Sequence, residues 1–183
     1  KEIKWISSTT RILKSTDGTP FLMTGIAKDI TKLKEAELKV VAGEKRYREL
    51  FEKSSNANLI LKNNLFIECN DAAIEMLGYK NKTALFNVPP YELSPEIQPD
   101  GQLSSQKSKE MNDIAYNTGS NRFEWDHVKS NGEVFPVEVS LTSLPSETPN
   151  DKTLHVVWRD ITVQKNAQNQ LNQLNNSLEE KVK

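Results

Sequence analysis

Hydrophobic and polar residues alternate along the second half of the chain, in three stretches that end at residue 160. This two-residue period is typical of half-buried strands. It predicts strands over residues 122–129, 134–144 and 153–160. Two shorter strands, over residues 58–61 and 65–69, flank the turn-forming pair Asn63-Asn64. Because helices are predicted between the two groups, the pattern indicates an α+β fold: an antiparallel five-stranded sheet with helices on one face.

Two helices are expected inside this domain. Asn70 is a favourable N-cap residue before an apolar run that ends at Gly78. A second helix is predicted over residues 103–116 and ends near Gly119. Its apolar stripe consists of Leu103, Met111, Ile114 and Ala115. The segment between the two helices carries four prolines, which predicts a loop.

The sequence Asp-Ile-Thr occurs twice, at residues 29–31 and again 131 residues later at residues 160–162. A predicted strand pair precedes each copy, and a charged or polar helix follows it. The repeated unit is therefore a hairpin, the three-residue motif and a helix. The residues between the two helices, 54–162, are expected to form one complete domain.

Each of these helices carries a narrow apolar seam in a polar sequence. In the last helix, over residues 163–183, the apolar residues are spaced by four, three, four and four positions, which is typical of a coiled coil. They are Ala167, Leu171, Leu174, Leu178 and Val182. Because this surface is too narrow to pack a globular core, we expect the helix to pair with a second copy of the chain. The first helix, over residues 32–53, has Leu33, Val40 and Tyr47 seven positions apart.

Composition excludes several classes of function. The 183 residues include 24 basic and 25 acidic side chains, and a net charge of -1 gives no field for holding a nucleic acid. Cys69 is the single cysteine and the two histidines are far apart, so neither a disulfide scaffold nor a metal site is expected. No apolar run approaches the roughly 18 residues of a membrane span. We expect a cytoplasmic fragment of a longer protein, whose possible membrane anchor upstream stays an open question.

Several motifs, in this order and spacing, resemble the PAS sensor family. They are residues 46–51, residues 68–73, Leu77-Gly78-Tyr79, residues 123–139 and Asp160-Ile161-Thr162. The resemblance implies a PAS fold for residues 54–162, entered through the helix at residues 32–53. Residues 1–31 resemble the closing hairpin of a preceding PAS domain that has been cut in half.

The resemblance also implies a function and a mechanism. A PAS module detects a small ligand or a partner and relays a shape change through a dimeric coiled coil. The relay residues would be Asp29 and Thr31, and Asp160 and Thr162. An aspartate at the end of the last strand can accept hydrogen bonds while the threonine caps the departing helix, which would couple strand and helix. The alternative is that Asp160 and Thr162 are capping residues only.

The tail of the chain resembles the linkers that lead into bacterial histidine kinases. This implies a parallel homodimer and an ATP-dependent kinase output in the same chain. A diguanylate cyclase or chemoreceptor output is an alternative, as is a dimerisation scaffold that binds no ligand.

Catalytic motifs are missing from the sequence: it contains no Gly-x-Ser-x-Gly elbow, no P-loop and no His-Glu-x-x-His. Haem is disfavoured because residues 103–116 contain no histidine to act as an axial ligand. A photoadduct flavin is disfavoured because Cys69 precedes Asn70 at a strand end instead of lying in an Asn-Cys-Arg-like helix. We expect no catalytic residue in this fragment, and the identity of any ligand stays open.

A pocket between the sheet and the helices is the candidate binding site. Alternation places Phe123, Trp125 and His127 on one face of their strand. If this face is the inner one, the aromatic residues form an apolar wall and His127 a polar handle. They would lie opposite Met76, Met111 and Ile114. The alternative is that these side chains simply fill the core, with His127 hydrogen-bonded inside it.

Overall fold

The structure is a computed structural model that describes residues 3–145, 148 and 151–182. The side chains of Phe21 and of residues 178–182 lie outside the described part, and so does the predicted seam contact of Leu178. The chain divides into two compact units, Lys1–Glu49 and Leu50–Lys183.

The first unit contains a hairpin and most of a helix. Strands β1 (Ile6–Lys14) and β2 (Pro20–Asp29) pair in antiparallel fashion, and helix α1 (Thr31–Glu52) follows directly. The turn between the strands is closed by a hydrogen bond from the Gly18 amide to the Ser15 carbonyl, at 2.9 Å. Gly18 has a φ of 85°, which glycine adopts without the steric cost of a Cβ atom.

The second unit is built on a sheet with strand order β4-β3-β7-β6-β5, in which all neighbours are antiparallel. The strands are β3 (Ala57–Lys62), β4 (Leu65–Cys69), β5 (Ser120–Val128), β6 (Val134–Leu144) and β7 (Thr153–Asp160). The helices are α2 (Asp71–Leu77), α3 (Ser104–Thr118), α4 (Thr162–Val182) and the 3₁₀ helices Lys82–Ala84 and Pro90–Leu93. The predicted α+β fold with an antiparallel five-stranded sheet is confirmed.

The turns and caps of this unit follow from the residues that form them. Asn63 and Asn64 have φ values of 50° and 66°, as the tight hairpin turn between β3 and β4 requires. Asn70 caps α2, because its side chain accepts a hydrogen bond from the Ala73 amide at 3.0 Å. Gly78 ends the same helix in the left-handed conformation. These sequence predictions are confirmed.

Asn70 also ties three elements together. Its Oδ1 atom accepts a second hydrogen bond from the Asn58 amide in β3, at 3.0 Å. Its Nδ2 atom donates to the carbonyl oxygens of Phe51, at 3.0 Å, and Asn56, at 2.9 Å. Because the side chain is fully buried and all these bonds are made, the end of α1, the start of β3 and α2 are held by one amide group.

Helix α3 turns a polar stripe toward the interior, contrary to the predicted apolar stripe. Its buried residues are Ser104, Ser108, Asn112 and Ala115. Of the predicted stripe only Ala115 is buried, whereas Leu103 and Ile114 are 39% and 37% exposed and Met111 is half-buried. The prediction is wrong because these buried polar groups have partners inside the fold, which removes the usual cost of burying them. Gln98 donates to Ser104, and Asn112 donates to Asn64.

The two hairpins that precede the Asp-Ile-Thr motifs have the same strand register. The pair Ile6↔Asp29 in the first unit corresponds to Val137↔Asp160 in the second, and Leu13↔Leu22 corresponds to Leu144↔Thr153. The Ile30 amide donates to the Trp5 carbonyl, and the Ile161 amide donates to the Pro136 carbonyl. These two hydrogen bonds are also related by the offset of 131 residues. The repeat of 131 residues is therefore a repeat of backbone structure as well as of sequence.

Candidate ligand site

An inner cavity lies between the five-stranded sheet, α3 and the 3₁₀ helix Pro90–Leu93, with a volume of about 30 Å³. Aromatic and aliphatic side chains form most of its wall, among them Leu61, Phe66, Phe123, Trp125, Val139 and Trp158. The polar groups in the wall belong to Ser108, Asn112 and His127. This volume is enough for a water molecule but too small for an organic ligand unless side chains move.

The structure places only half of the six predicted pocket residues in the wall. Phe123, Trp125 and His127 lie on the inner face of β5 and line the inner cavity. Met76 on α2 packs against the core, and the Met111 sulfur lies 3.5 Å from the Asn121 amide nitrogen. Neither methionine lines the cavity, and Ile114 lies on the exposed side of α3. Ser108 and Asn112 occupy the positions on α3 that were expected for apolar residues.

Ser94 links the wall of the cavity to the loop before α3. Its hydroxyl accepts a hydrogen bond from the Trp125 indole Nε1–H, at 2.9 Å, and donates to the Pro90 carbonyl, also at 2.9 Å. Nδ1 of His127 donates to the neighbouring Leu93 carbonyl at 2.8 Å. Sequence reasoning missed Ser94, because it lies in a proline-rich loop with no periodic pattern.

His127 is a neutral, internally bonded histidine. The ring is only 1% exposed, and burial lowers its pKa to about 4. Since Nδ1 carries the proton that binds Leu93, Nε2 is left as the hydrogen-bond acceptor of the ring. The ring also packs against Trp158, with the centroids 4.1 Å apart. His127 can therefore serve both as core and as a polar handle in the cavity wall.

An outer cavity of about 130 Å³ adjoins the inner one. The two share Pro90, Ser108 and Asn112, so these residues form the partition between them. On one side the outer cavity is bounded by the loop residues Pro89, Pro90 and Tyr91. On the other side it is bounded by Ser105, Ser108, Lys109 and Asn112 of α3 together with Asn64.

The Asp-Ile-Thr motif joins the last strand to the departing helix through the aspartate. The Asp160 carboxylate accepts a hydrogen bond from the Thr162 amide at 2.7 Å, and Asp29 accepts one from the Thr31 amide at 2.9 Å. Hydrogen bonds from the side chain and the backbone of Thr31 hold the pKa of Asp29 below its usual range. The aspartate thus supplies the hydrogen-bond acceptor for the helix start, whereas the sequence reasoning gave the capping role to the threonine.

The two copies of the motif differ in how the adjoining residues attach to them. Thr31 accepts a further hydrogen bond on its hydroxyl from the Trp5 amide, at 2.9 Å. The residue at the position of Trp5 in the second hairpin is Pro136, which has no amide hydrogen to donate. The second copy has a different attachment, an ion pair of 2.7 Å between Lys165 in α4 and Glu124 in β5.

The predicted seam of α4 is open to solvent in the single chain. Ala167 is exposed, and Leu171 and Leu174 are 55% and 57% exposed.

No helix in the described part of the chain is long and apolar enough to cross a membrane.

Cys69 and the metal-binding side chains offer no reactive site in the described residues. Burial raises the pKa of the Cys69 thiol to about 11, which disfavours the reactive thiolate. The described histidine, cysteine and acidic residues form no group of three or more that could hold a metal ion.

A family model for the PAS domain matches residues 55–163, which is more than half of the chain. The chain belongs to the PAS domain family. This fold fits a signal-sensing module, so the two cavities are the candidate ligand sites of the domain. No curated protein matches the sequence.

Solved PAS domains share the fold. One from Colwellia psychrerythraea is 18% identical, with 64% of this chain and 96% of that chain covered and a TM-score of 0.55. A PAS domain from a two-component sensor histidine kinase is 21% identical, with 68% and 98% covered and a TM-score of 0.51. A PAS domain of a LuxR-family regulator from Burkholderia thailandensis, solved in complex with ethanol, is 16% identical, with 63% and 96% covered and a TM-score of 0.51.

Proposed function

We propose that this PAS domain receives a small molecule at the cavities beneath its sheet and passes the resulting change to α4. The observation that carries the proposal is the hydrogen-bonded connection from the loop to β5. Pro90 lines both cavities, and its carbonyl accepts the Ser94 hydroxyl that in turn binds Trp125. A ligand that displaces Pro90 would therefore act directly on the position of Trp125 in the sheet.

The contact between β5 and α4 lies on the outer face of the sheet. Glu124 precedes Trp125 and points to the opposite face, where its carboxylate binds Lys165 of α4 at 2.7 Å. Asp160 at the end of β7 holds the first residue of the same helix, Thr162. Two contacts thus couple the sheet to α4, and a small shift of the strands would tilt or rotate the helix.

The output of this relay is proposed to be a histidine kinase in the same chain, driven by a parallel homodimer of α4. The exposed Leu171 and Leu174 at coiled-coil spacing support the dimer, since an isolated helix of this composition is marginal in water. The PAS domain of a sensor histidine kinase among the similar structures supports the choice of output.

Residues 1–31 are proposed to be the closing hairpin of a second, preceding PAS domain. The identical register of β1–β2 and β6–β7 over the 131-residue offset supports this assignment, since each hairpin also enters its helix through the same Asp-Ile-Thr motif and the same backbone bond at the isoleucine. Residues 32–53 would then be the helix that connects two sensory domains in series, and residues 54–162 the complete one.

A ligand-free dimerisation scaffold is the second candidate, and one observation favours it. The inner cavity holds only about 30 Å³, so its aromatic wall is close to fully packed. In that case Trp125 and His127 would act as core residues alone.

The three tryptophans of the chain provide a test of ligand sensing. In a ¹⁵N-labelled sample the indole N–H of Trp125 reports the cavity wall through its bond to Ser94, Trp158 reports the core, and Trp5 in the first unit is an internal control. Titration with a library of small neutral, anionic and cationic molecules is expected to yield binders that shift the Trp125 signal and leave Trp5 unchanged. A library without any such binder would favour the scaffold.

A further inference from the structure

We propose that the ligand is a small monocarboxylate with an apolar body about the size of one ring, bound in the outer cavity. This inference rests on the proposed sensory function and names the class of molecule sensed. The outer cavity, at about 130 Å³, is close to the roughly 150 Å³ that accommodates a benzene molecule in a protein interior.

The two sides of the outer cavity differ in chemistry. The loop side offers two proline rings and the Tyr91 ring, a surface suited to the flat face of an apolar group. The α3 side offers the hydroxyls of Ser105 and Ser108, the Asn112 amide and the Lys109 ammonium. A molecule with one apolar and one polar end fits this arrangement, with its polar end toward α3.

The charge of the polar end follows from the ionisable groups. Among the described residues, neither cavity has an aspartate or a glutamate in its wall, and Lys109 is the one wall residue that is charged at neutral pH. Lys109 forms no ion pair with any described carboxylate, whereas Lys107, two positions earlier, binds Asp100 at 2.7 Å. An anion is therefore favoured over a cation, and a carboxylate can accept hydrogen bonds from Lys109 and Ser108 together.

The buried polar residues of α3 would take part in ligand binding. A core helix normally turns apolar residues inward, yet Ser108 and Asn112 are buried and stand between the two cavities. Their hydroxyl and amide groups give the apolar inner cavity a polar rim. The ring of the ligand would rest on Pro90, so that binding acts on the loop that holds Trp125 through Ser94.

The test compares benzoate with benzyl alcohol, which has the same ring and no charge. Both are titrated into the ¹⁵N-labelled full chain at equal ionic strength, and the dissociation constants are taken from the amide signals of Ser108 and Asn112. We expect benzoate to bind at least about tenfold more tightly. Lys109→Gln should remove this preference. Lys80→Gln, which changes the charge equally at an exposed lysine that lines neither cavity, should retain it.

Each other outcome would overturn a defined part of the inference. Equal or tighter binding of benzyl alcohol would overturn the carboxylate class and leave ligand sensing intact. A benzoate preference that survives Lys109→Gln would overturn the role of Lys109. If neither molecule shifts these signals at millimolar concentration, the proposed ligand class is wrong, while the library titration followed at the Trp125 indole decides separately whether the domain senses other molecules.

Discussion

The hydroxyl of Ser94 accepts a hydrogen bond of 2.9 Å from the indole nitrogen of Trp125, although 31 residues separate the two in sequence. This bond attaches the loop that borders both cavities to β5, an edge strand of the sheet. Because Trp125 is buried, removal of the Ser94 hydroxyl leaves its indole N–H without this acceptor. The bond is therefore important both for the stability of the domain and for the coupling proposed above.

Replacement of Ser94 by alanine tests the stability side of this relationship. Ser94→Ala leaves the buried Trp125 N–H without its acceptor, and we expect a loss of about 1–3 kcal/mol in the free energy of unfolding. Urea denaturation followed by tryptophan fluorescence measures the change. Ser120→Ala at the exposed start of β5 is the matched control and should change stability by less than about 0.5 kcal/mol. Equal effects of the two variants would contradict the assigned bond.

Asn70 is expected to be among the most sensitive polar residues of the domain. Asn70→Ala removes an N-cap and leaves several buried backbone groups unpaired, so we expect a loss of about 3 kcal/mol. Asn70→Asp keeps the Oδ1 acceptor but turns a second carboxylate oxygen toward the carbonyl oxygens of Phe51 and Asn56 in a buried site, so at neutral pH it should cost at least as much as Asn70→Ala. Asn81→Ala, at the exposed start of a 3₁₀ helix, loses only an exposed bond from the Thr83 hydroxyl and no backbone cap, and should cost less than about 0.5 kcal/mol. Chemical denaturation of the three variants tests this order.

His127 predicts a pH dependence of stability. The unfolded chain takes up this proton near pH 6.5 and the folded chain only near pH 4, because burial lowers the pKa. The stabilisation from neutral His127 is therefore complete above about pH 6.5 and is lost as the pH falls toward 4. Over this pH range His127 should lower the free energy of unfolding by about 3 kcal/mol in total.

Denaturation of wild type and His127→Gln between pH 4 and pH 7.5 measures this contribution. In His127→Gln the free energy of unfolding should depend less steeply on pH between about pH 6.5 and pH 4. In His155→Gln most of the wild-type pH dependence should remain, since His155 is only half-buried. Parallel curves for wild type and His127→Gln would mean that His127 is not buried in its neutral form.

The seam of α4 predicts the oligomeric state. The double variant Leu171→Asp and Leu174→Asp places charges on both exposed seam residues and should convert a dimer into a monomer. Gln173→Asp with Asn176→Asp adds the same charge on the opposite side of the helix and should leave the dimer intact. Sedimentation equilibrium distinguishes the two results. A dimer that survives the leucine changes would place the contact elsewhere.

The turns, the helix caps and the strand alternation of the fold could be predicted from the sequence because local chemistry determines them. The turn at Asn63-Asn64, the caps at Asn70 and Gly78 and the alternation along β5 each follow from the residues involved. The offset between the two Asp-Ile-Thr motifs also anticipated a shared hairpin, although only the structure shows that the registers are equal.

The candidate site was less accessible, because tertiary context decides which side of α3 is buried. Periodicity selected Leu103, Met111 and Ile114 as the inner stripe, but the interior accepts Ser108 and Asn112. The Ser108 hydroxyl donates to the Ser105 carbonyl within the helix, whereas Asn112 donates to Asn64 outside it, and no pattern within the helix encodes that second bond. Pro90 and Ser94 come from a loop without periodicity, so only the folded chain reveals their contacts with the cavities and Trp125.

Occupation of the cavities beneath the sheet is proposed to change the packing of α4, and the distance between the two α4 helices of a dimer measures that change. A spin label at Gln173→Cys in a Cys69→Ser background reports the separation of the two α4 helices in a dimer, since Cys69 is the only native cysteine. Double electron–electron resonance is recorded with and without the tightest binder found in the indole titration. We predict that the binder shifts the distance distribution in the otherwise wild-type chain, and that Ser94→Ala reduces this shift at equal occupancy. An unchanged distribution at saturation of the Trp125 signal would contradict the account.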